Sequence, residues 1–529
     1  SQGVRQVGVC RQNDGGRTPM VTAESPSESL TRFQQLQRLF LEKGKKSKLK
    51  EIRILFNDVK DDATALKEIA NSLDFGFISK MLTMYTATQT ETDLVIFDIL
   101  NFTDRIAKVD LKPIMPLVFG PTTTEHYQNL LKLGRAVHVC PKPNEVLTCL
   151  DPTFLWNTGI RINEFVPGQL EQKNVLLYDP RFVGLLILET VQAGTELDLK
   201  KFIERNMLSF GIFLTSAVDE NLRAIGYSIL GDFLLKLKDI SEGNFEEQSL
   251  IIYVLTCIRN NLTKNQKIPH VPANFFARCV KILLTSDHPI FPRIVSFFYT
   301  KFSFKMNVIP EFINMVMSSS TTNGLQERYW MMELVAESML NEEDYKILEK
   351  INGTSLILSM FSSQFVTKLS IKWTFMILQA LMNIPAAVKD LCLKFNFHSW
   401  VAATVQLKKL TRWQLGFLTQ IFVDYIIKVK SMLFEGIEDV SIEKLSGRYL
   451  RTELMIKGAL KKVALIMIME EDEVKDKWMP RLEKLNQPWI RSESYGFDKD
   501  KQEISEKEPQ EDEKMEVDTV NGTKSKHKN

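Results

Sequence analysis

The sequence predicts an all-α protein, an armadillo/HEAT-like α-solenoid with disordered termini. Three observations carry that reading. Apolar residues recur three and four apart through most of 219–400, the period of a helix buried along one face. The longer helices of this stretch begin near 220, 270, 322 and 366, so the unit is roughly forty to fifty residues, the length of two-helix repeats. A pair of that size cannot bury its stripe alone, so neighbours must stack. The 529 residues exceed what one hydrophobic core usually supports but suit a stacked array, and 44% hydrophobic with 25% charged residues describes a chain that folds.

In chain order, residues 1–29 hold Gly15-Gly16, Pro19 and Ser25-Pro26-Ser27 without apolar periodicity, and are expected to be disordered. A helical region is expected over 30–133. It opens near Ser29 with Phe33, Leu36, Leu39 and Phe40, and continues with Ile52, Leu55, Phe56 and Val59, then Leu66, Ile69 and Ala70. Between these stripes runs Lys43-Gly-Lys-Lys-Ser-Lys-Leu-Lys50, which fits a nuclear address, an RNA phosphate contact through Lys45, Lys46 and Lys48, or a solvated linker. Leu94–Leu100 has the composition of a strand, but helical patterns flank it and helix is expected. Pro113, Pro116 and Pro121 mark an irregular turn, and Thr124–Leu133 a further short helix.

Residues 134–180 are a proline-rich, packed connection. Pro141, Pro143, Pro152, Pro167 and Pro180 leave no room for long helices, yet Phe154, Leu155, Trp156, Ile160 and Phe165 demand burial. At its end, Tyr178-Asp-Pro-Arg-Phe182 has two readings. Asp179 caps a helix with Pro180 at its first position, or Tyr178 and Arg181 contact RNA or a partner by stacking and phosphate pairing.

The α-solenoid proper is expected over 181–495. Leu222, Ile225, Ile229, Phe233 and Leu237 share one helix face, with Ser216 placed to cap the helix start. Ile251, Val254, Leu255, Ile258 and Leu262 follow. Pro269 and Pro272 break the chain before Phe276, Cys279, Val280 and Leu283. Later stripes are Leu325, Met332, Val335 and Met339; Leu369, Trp373, Met376, Ala380 and Leu381; Leu418, Phe422, Tyr425 and Val429; and Leu450, Leu454, Ala459, Leu460, Val463 and Met467. Trp478 and Trp489 are the last residues expected to dock. Residues 496–529 form a charged tail too polar to fold alone.

The net charge of +2 excludes global basicity as a basis for nucleic-acid binding, which must use local patches. Six scattered cysteines read as reduced core thiols, and no signal peptide or membrane span is visible. The four Asn-x-Ser/Thr sites are expected to be chance. A chain that starts at Ser1 is expected to be a fragment of a longer protein or an imperfect gene product. There is no phosphate-binding loop, dinucleotide fingerprint, zinc-protease motif or Cys-x-x-Cys, so neither an enzyme nor a cofactor is expected. His138, Cys140 and Cys149 are close in sequence but lack a fourth ligand, so no metal site is expected.

Arg161-Ile-Asn-Glu-Phe165, Tyr178–Phe182 and Asn221-Leu-Arg-Ala-Ile-Gly-Tyr227 resemble the C-terminal part of the nucleolar pre-ribosomal-associated protein 1 family. Phe245 to Asn260, Phe275–Cys279, Gln326 to Met332, Lys372-Trp373 and Phe397–Trp400 follow in the same order, so that 155–407 is covered. The resemblance lies in the ordered series and not in one motif. It implies a nucleolar, armadillo-like protein without catalytic residues, acting early in large-subunit assembly. The implied partners are pre-ribosomal RNA and early large-subunit assembly factors, with no membrane and no small-molecule substrate. Family members are much longer, which leaves open where those partners bind. The alternative is a generic intracellular adaptor, since solenoids serve many tasks.

Overall fold

The computed structural model describes residues 26–43, 47–73, 75–106, 143–165, 177–192, 197–240, 245–262, 266–300, 305–317, 322–361, 363, 366–407, 410–434, 442–468 and 472–486. The fold is all-α. Among the described residues there is no strand, only one isolated antiparallel bridge between Thr88 and Tyr178. The chain divides into two compact units, Ser1–Phe395 and Asn396–Asn529. The expected disorder of 1–25 and of the 496–529 tail, the turn at 113–121, the helix at 124–133 and the docking of Trp489 lie outside the described residues.

The first unit opens with α1 (Pro26–Lys43), α2 (Ser47–Val59), α3 (Ala63–Ser72), α4 (Phe75–Met84) and α5 (Glu91–Asn101), which runs into a π turn at Phe102–Ile106. Helix α1 begins at Pro26, three residues before the expected start, because a proline fits the first helical turn, where N–H groups have no partner to lose. The Leu94–Leu100 run lies in α5 and is helical as expected. Helices α1, α2 and α4 share a ring-packed core: Phe33 meets Phe56 at 5.4 Å, Phe40 meets Phe77 at 5.4 Å, and Phe56 stacks on Phe102 at 4.2 Å.

Two prolines of the 134–180 segment open short helices, α6 (Pro143–Cys149) and α7 (Pro152–Ile160), with Asp151 capping the second. Next come α8 (Pro180–Gln192), α9 (Leu199–Glu204) and α10 (Met207–Leu214). All eight residues of α10 are buried, which its uniformly apolar sequence Met-Leu-Ser-Phe-Gly-Ile-Phe-Leu requires. It packs on α7 and on α11 (Glu220–Asp239), and α11 packs back on α8. The α10–α11 approach is close enough to need a glycine, since a Cβ on Gly226 would lie 2.8 Å from Leu214 Cβ and 2.9 Å from the Gly211 carbonyl oxygen.

The unit continues with α12 (Gln248–Asn260), α13 (His270–Ile282), α14 (Phe291–Thr300), α15 (Phe312–Met317) and α16 (Gly324–Ser338). It closes with α17 (Glu342–Lys350), α18 (Gly353–Phe361), α19 (Lys368–Leu381) and α20 (Pro385–Leu393). Contacts run in series: α10 on α13, α13 on α16, and α16 on α19. The second unit holds α21 (Phe397–Leu407), α22 (Arg412–Phe434), α23 (Ile442–Ile468) and α24 (Asp472–Asn486), with α21 against α23 and α24 against both α22 and α23.

Several expected faces hold. Leu222, Ile229, Phe233 and Leu237 are buried on α11, and Leu418, Phe422, Tyr425 and Val429 are fully buried on α22. Others are corrected. Ser216 does not cap α11; Asp219 does, accepting from Asn221 N, because Ser216 is drawn into the core. Pro272 sits in the first turn of α13 instead of breaking the chain, as the amide it lacks has no helical partner there. On α19 the buried face is Thr374, Phe375, Ile377, Leu378 and Leu381, and Leu369 is exposed. Leu325 on α16 and Leu454 on α23 are likewise exposed. These helices carry apolar residues on more than one side, and contact with a neighbour decides which side is covered.

Among the described residues no single helix is long and apolar enough to cross a membrane. Helices α19 and α20 reach that composition only together, and they meet at 112°.

Candidate nucleic-acid and partner interface

Lys45 and Lys46 lie outside the described residues, whereas Lys48 stands in the first turn of α2. Its Nζ is 2.6 Å from Glu51 Oε1, one turn along, with the lysine side chain 26% exposed. Lys50 is half exposed and paired with Glu91 at the start of α5. Between these two helix starts lies a cleft of about 300 Å³ lined by Ser47, Leu49, Lys50, Glu91, Thr92 and Val95. Surface pairs of this kind contribute about 0–1 kcal/mol.

Tyr178 and Arg181 are built into the junction of three segments. Gln89 N donates to Leu177 O at 2.8 Å and Asp179 N to Ala87 O at 2.7 Å, which forms the bridge. The Tyr178 hydroxyl accepts from Asp151 N at 2.9 Å, and Tyr178 N donates to Thr158 Oγ1 at 2.8 Å. Burial raises the phenol's pKa, opposed by the Asp151 amide. On the near side the buried Asp93 carboxylate gathers the Thr86 and Thr88 hydroxyls at 2.6 and 2.5 Å. Asp179 accepts from Arg181 N at 3.0 Å, which caps α8 with Pro180 as its first residue. The Arg181 guanidinium returns to Asp179 at 2.7 Å and lies over the rings of Phe97 at 4.2 Å and Phe165 at 5.2 Å. Burial works against its charge, but the bonds and charge of Asp179 outweigh this and hold its pKa up. This is the helix-start arrangement. Stacking of Tyr178 on a base would require the ring, 5% exposed, to leave its pocket.

A third cluster was not legible in the sequence, because Ser216 and His270 are 54 positions apart and Val271 and Asp344 are 73 apart. Ser216 Oγ donates to Phe213 O at 2.7 Å and meets His270 Nδ1 at 2.9 Å. The imidazole stacks on Phe213, and Asp344 Oδ1 accepts from Val271 N at 3.2 Å. Pro269 precedes α13 and offers no side-chain acceptor, so the carboxylate from α17 caps α13 across the interface. Ser216, His270 and Asp344 are each 0% exposed. Burial pushes the His270 pKa down to about 3, with Lys267 adding and the Ile160 carbonyl opposing. A neutral imidazole of that basicity beside a hydroxyl committed to a carbonyl, closed off from solvent, supplies no general base for a substrate. The trio ties α10, α13 and α17 together.

Among the described residues no group of histidines, cysteines and carboxylates is arranged to hold a metal ion. Of the three metal-ligand candidates, Cys149 ends α6, and His138 and Cys140 lie outside the described residues.

Residues 208–400 match the sequence profile of the nucleolar pre-ribosomal-associated protein 1 family, a span from α10 to the first turn of α21. The chain is 23% identical over 337 residues to nucleolar pre-ribosomal-associated protein 1 of Mus musculus, covering 61% of this chain and 15% of that protein. It is 22% identical over 344 residues to the Homo sapiens protein of the same name, covering 62% and 15%. The chain is therefore a distant homologue of these proteins over about 60% of its length, and spans about 15% of theirs. The family is not a known enzyme family. No solved structure matches.

Proposed function

We propose that the chain is a non-enzymatic scaffold of nucleolar ribosome biogenesis, acting in early assembly and rRNA processing of the large subunit. The observation that carries this reading is the homology over 208–400, which falls on the series α10, α13, α16 and α19. Each of these helices packs on the next, an arrangement that supports an armadillo/HEAT-like solenoid and suits a long surface for partners. Pre-ribosomal RNA and early large-subunit assembly factors are the proposed partners. No membrane, cofactor or small-molecule substrate enters the reading.

The chain should sediment with precursors of the large subunit in a gradient of nuclear extract, and its depletion should lower mature large-subunit RNA while sparing the small subunit. Sedimentation apart from all pre-ribosomal particles would leave a generic helical adaptor. Within the scaffold reading, Lys45, Lys46 and Lys48 are proposed phosphate contacts. Changing all three to Glu should weaken RNA binding and flatten its salt dependence by roughly one unit of slope per lost contact. An unaltered slope would remove this segment from the interface. Of Tyr178 and Arg181, Arg181 is kept as a proposed partner contact through the exposed part of its side chain, 25% of its area, whereas the buried Tyr178 would contact a partner only on leaving its pocket.

A further inference from the structure

The second unit carries an exposed tryptophan on α22 next to a basic stripe on α24. Trp413, in the first turn of α22, is 53% exposed, a rare state for the largest side chain in a packed helical unit. Its ring stacks on Phe417 one turn later, with centroids 5.5 Å apart and planes 25° apart. That contact engages the indole, while about half of the side chain's area stays open to solvent. Between them in sequence lies Gly416, where a Cβ would sit 3.9 Å from Trp478 Nε1, so α24 reaches α22 at the turn that holds the pair. Trp478 is buried and stays so.

Two cations flank that contact. Lys477 Nζ and the Arg481 guanidinium lie 5.4 and 5.3 Å from the Trp478 ring centroid, and both side chains are exposed. Lys484 follows at the next helical step, so the three share one face of α24. Among the described residues none of the three has a carboxylate partner. The acids of α24 are Asp472, Glu473, Asp476 and Glu483; by the same periodicity Asp476 and Glu483 fall on a different face, while Glu473 stands one turn before Lys477.

We propose that Trp413, with the Lys477–Arg481–Lys484 stripe, forms a binding surface for single-stranded RNA. An unpaired base stacks on the exposed part of Trp413, and the phosphates run along the cations. Unstacked bases take aromatic platforms of this kind without regard to sequence, while a duplex presents no free base face. The choice of RNA over an acidic peptide rests on this pairing of ring and cations and on the ribosome-assembly reading above.

The test uses the full chain and a fluorescein-labelled twelve-nucleotide oligouridine, read by anisotropy, with a duplex of equal length as control. Trp413→Ala should weaken binding of the single strand by about 5- to 100-fold, with Trp413→Phe within about threefold of the native chain. Because Trp413 is exposed, the circular dichroism and unfolding midpoint should not change. Charge reversal at Lys477, Arg481 and Lys484 should reduce the slope of log K against log salt by roughly two. Unchanged affinity in Trp413→Ala, or equal affinity for duplex and single strand, overturns the proposal. A photocrosslinker at position 413 that captures protein and not RNA in purified pre-ribosomal particles also overturns it, and marks a peptide-docking surface. The assembly reading fails separately: oligouridine binding that depends on Trp413, in a chain that sediments apart from pre-ribosomal particles, sinks only that reading.

Discussion

Phe233→Ala should lower the free energy of unfolding by about 3–5 kcal/mol. Phe233 is 0% exposed in the middle of α11 and stacks on Phe202 of α9, with centroids 5.0 Å and planes 21° apart. Truncation removes the ring's transfer energy and opens a cavity that two helices cannot both close. The loss should stay local, because the main contacts among the described residues run from α11 to α10, from α10 to α13 and from α13 to α16. Hydrogen exchange should accelerate in α9 to α11 while α16 and α19 keep most of their protection. An unchanged denaturation midpoint would show that α11 buries another face.

The His270–Asp344 pair should produce two opposite pH slopes that cancel in the native chain. Burial, then Lys267, pushes His270 down to about 3 from 6.5, so its stability contribution is present above pH 6.5 and lost as pH falls toward 3. Burial pushes Asp344 up to about 7 from 3.8, with the Val271 and His270 amides and Lys267 opposing and Glu343 adding. Its contribution is full below pH 3.8 and lost as pH rises through 7. Between about pH 4.5 and 6.5 the folded state therefore holds one proton more at Asp344 and one fewer at His270 than the unfolded chain. Asp344→Asn removes the falling slope, and its stability relative to the native chain should rise by about 2 kcal/mol across that window. His270→Gln should lose about as much, of opposite sign. Urea unfolding at pH 4.5, 5.5 and 6.5 checks this, and three parallel curves would reject the pair as the source.

Much of the helical content was legible because a buried stripe repeats every three or four residues whatever it packs against. That period alone predicts Phe233, Val254 and Phe422 in the core, and all three are buried. The choice of face failed where a helix is apolar on several sides. On α19, Leu369 and Phe375 are both apolar and packing decides between them: Phe375 stacks on Phe361 of α18, with centroids 5.6 Å apart, while Leu369 is left out. Leu454 fails for the same reason against Ile456. The Asp179-Pro180 helix start was local chemistry and could be read. The Ser216–His270–Asp344 trio is assembled from three helices, and no spacing along the chain announces it. The exposure of Trp413 has no sequence signal, since the residues around it do not say which neighbour covers that turn of α22.

The bridge between Thr88 and Tyr178 has a consequence for the order in which the chain is made. Gln89 and Tyr178 are 89 positions apart, and synthesis at about 5–20 residues per second separates them by roughly 4 to 18 seconds. By the end of that interval α1 to α5 have been made, while Phe182, the ring that meets Tyr85, does not yet exist. The Asp93 carboxylate with its threonine hydroxyls is complete within residues 86–93 and needs nothing downstream. It can hold the Thr86–Thr88 turn in shape, ready for the Leu177–Asp179 backbone to close on it.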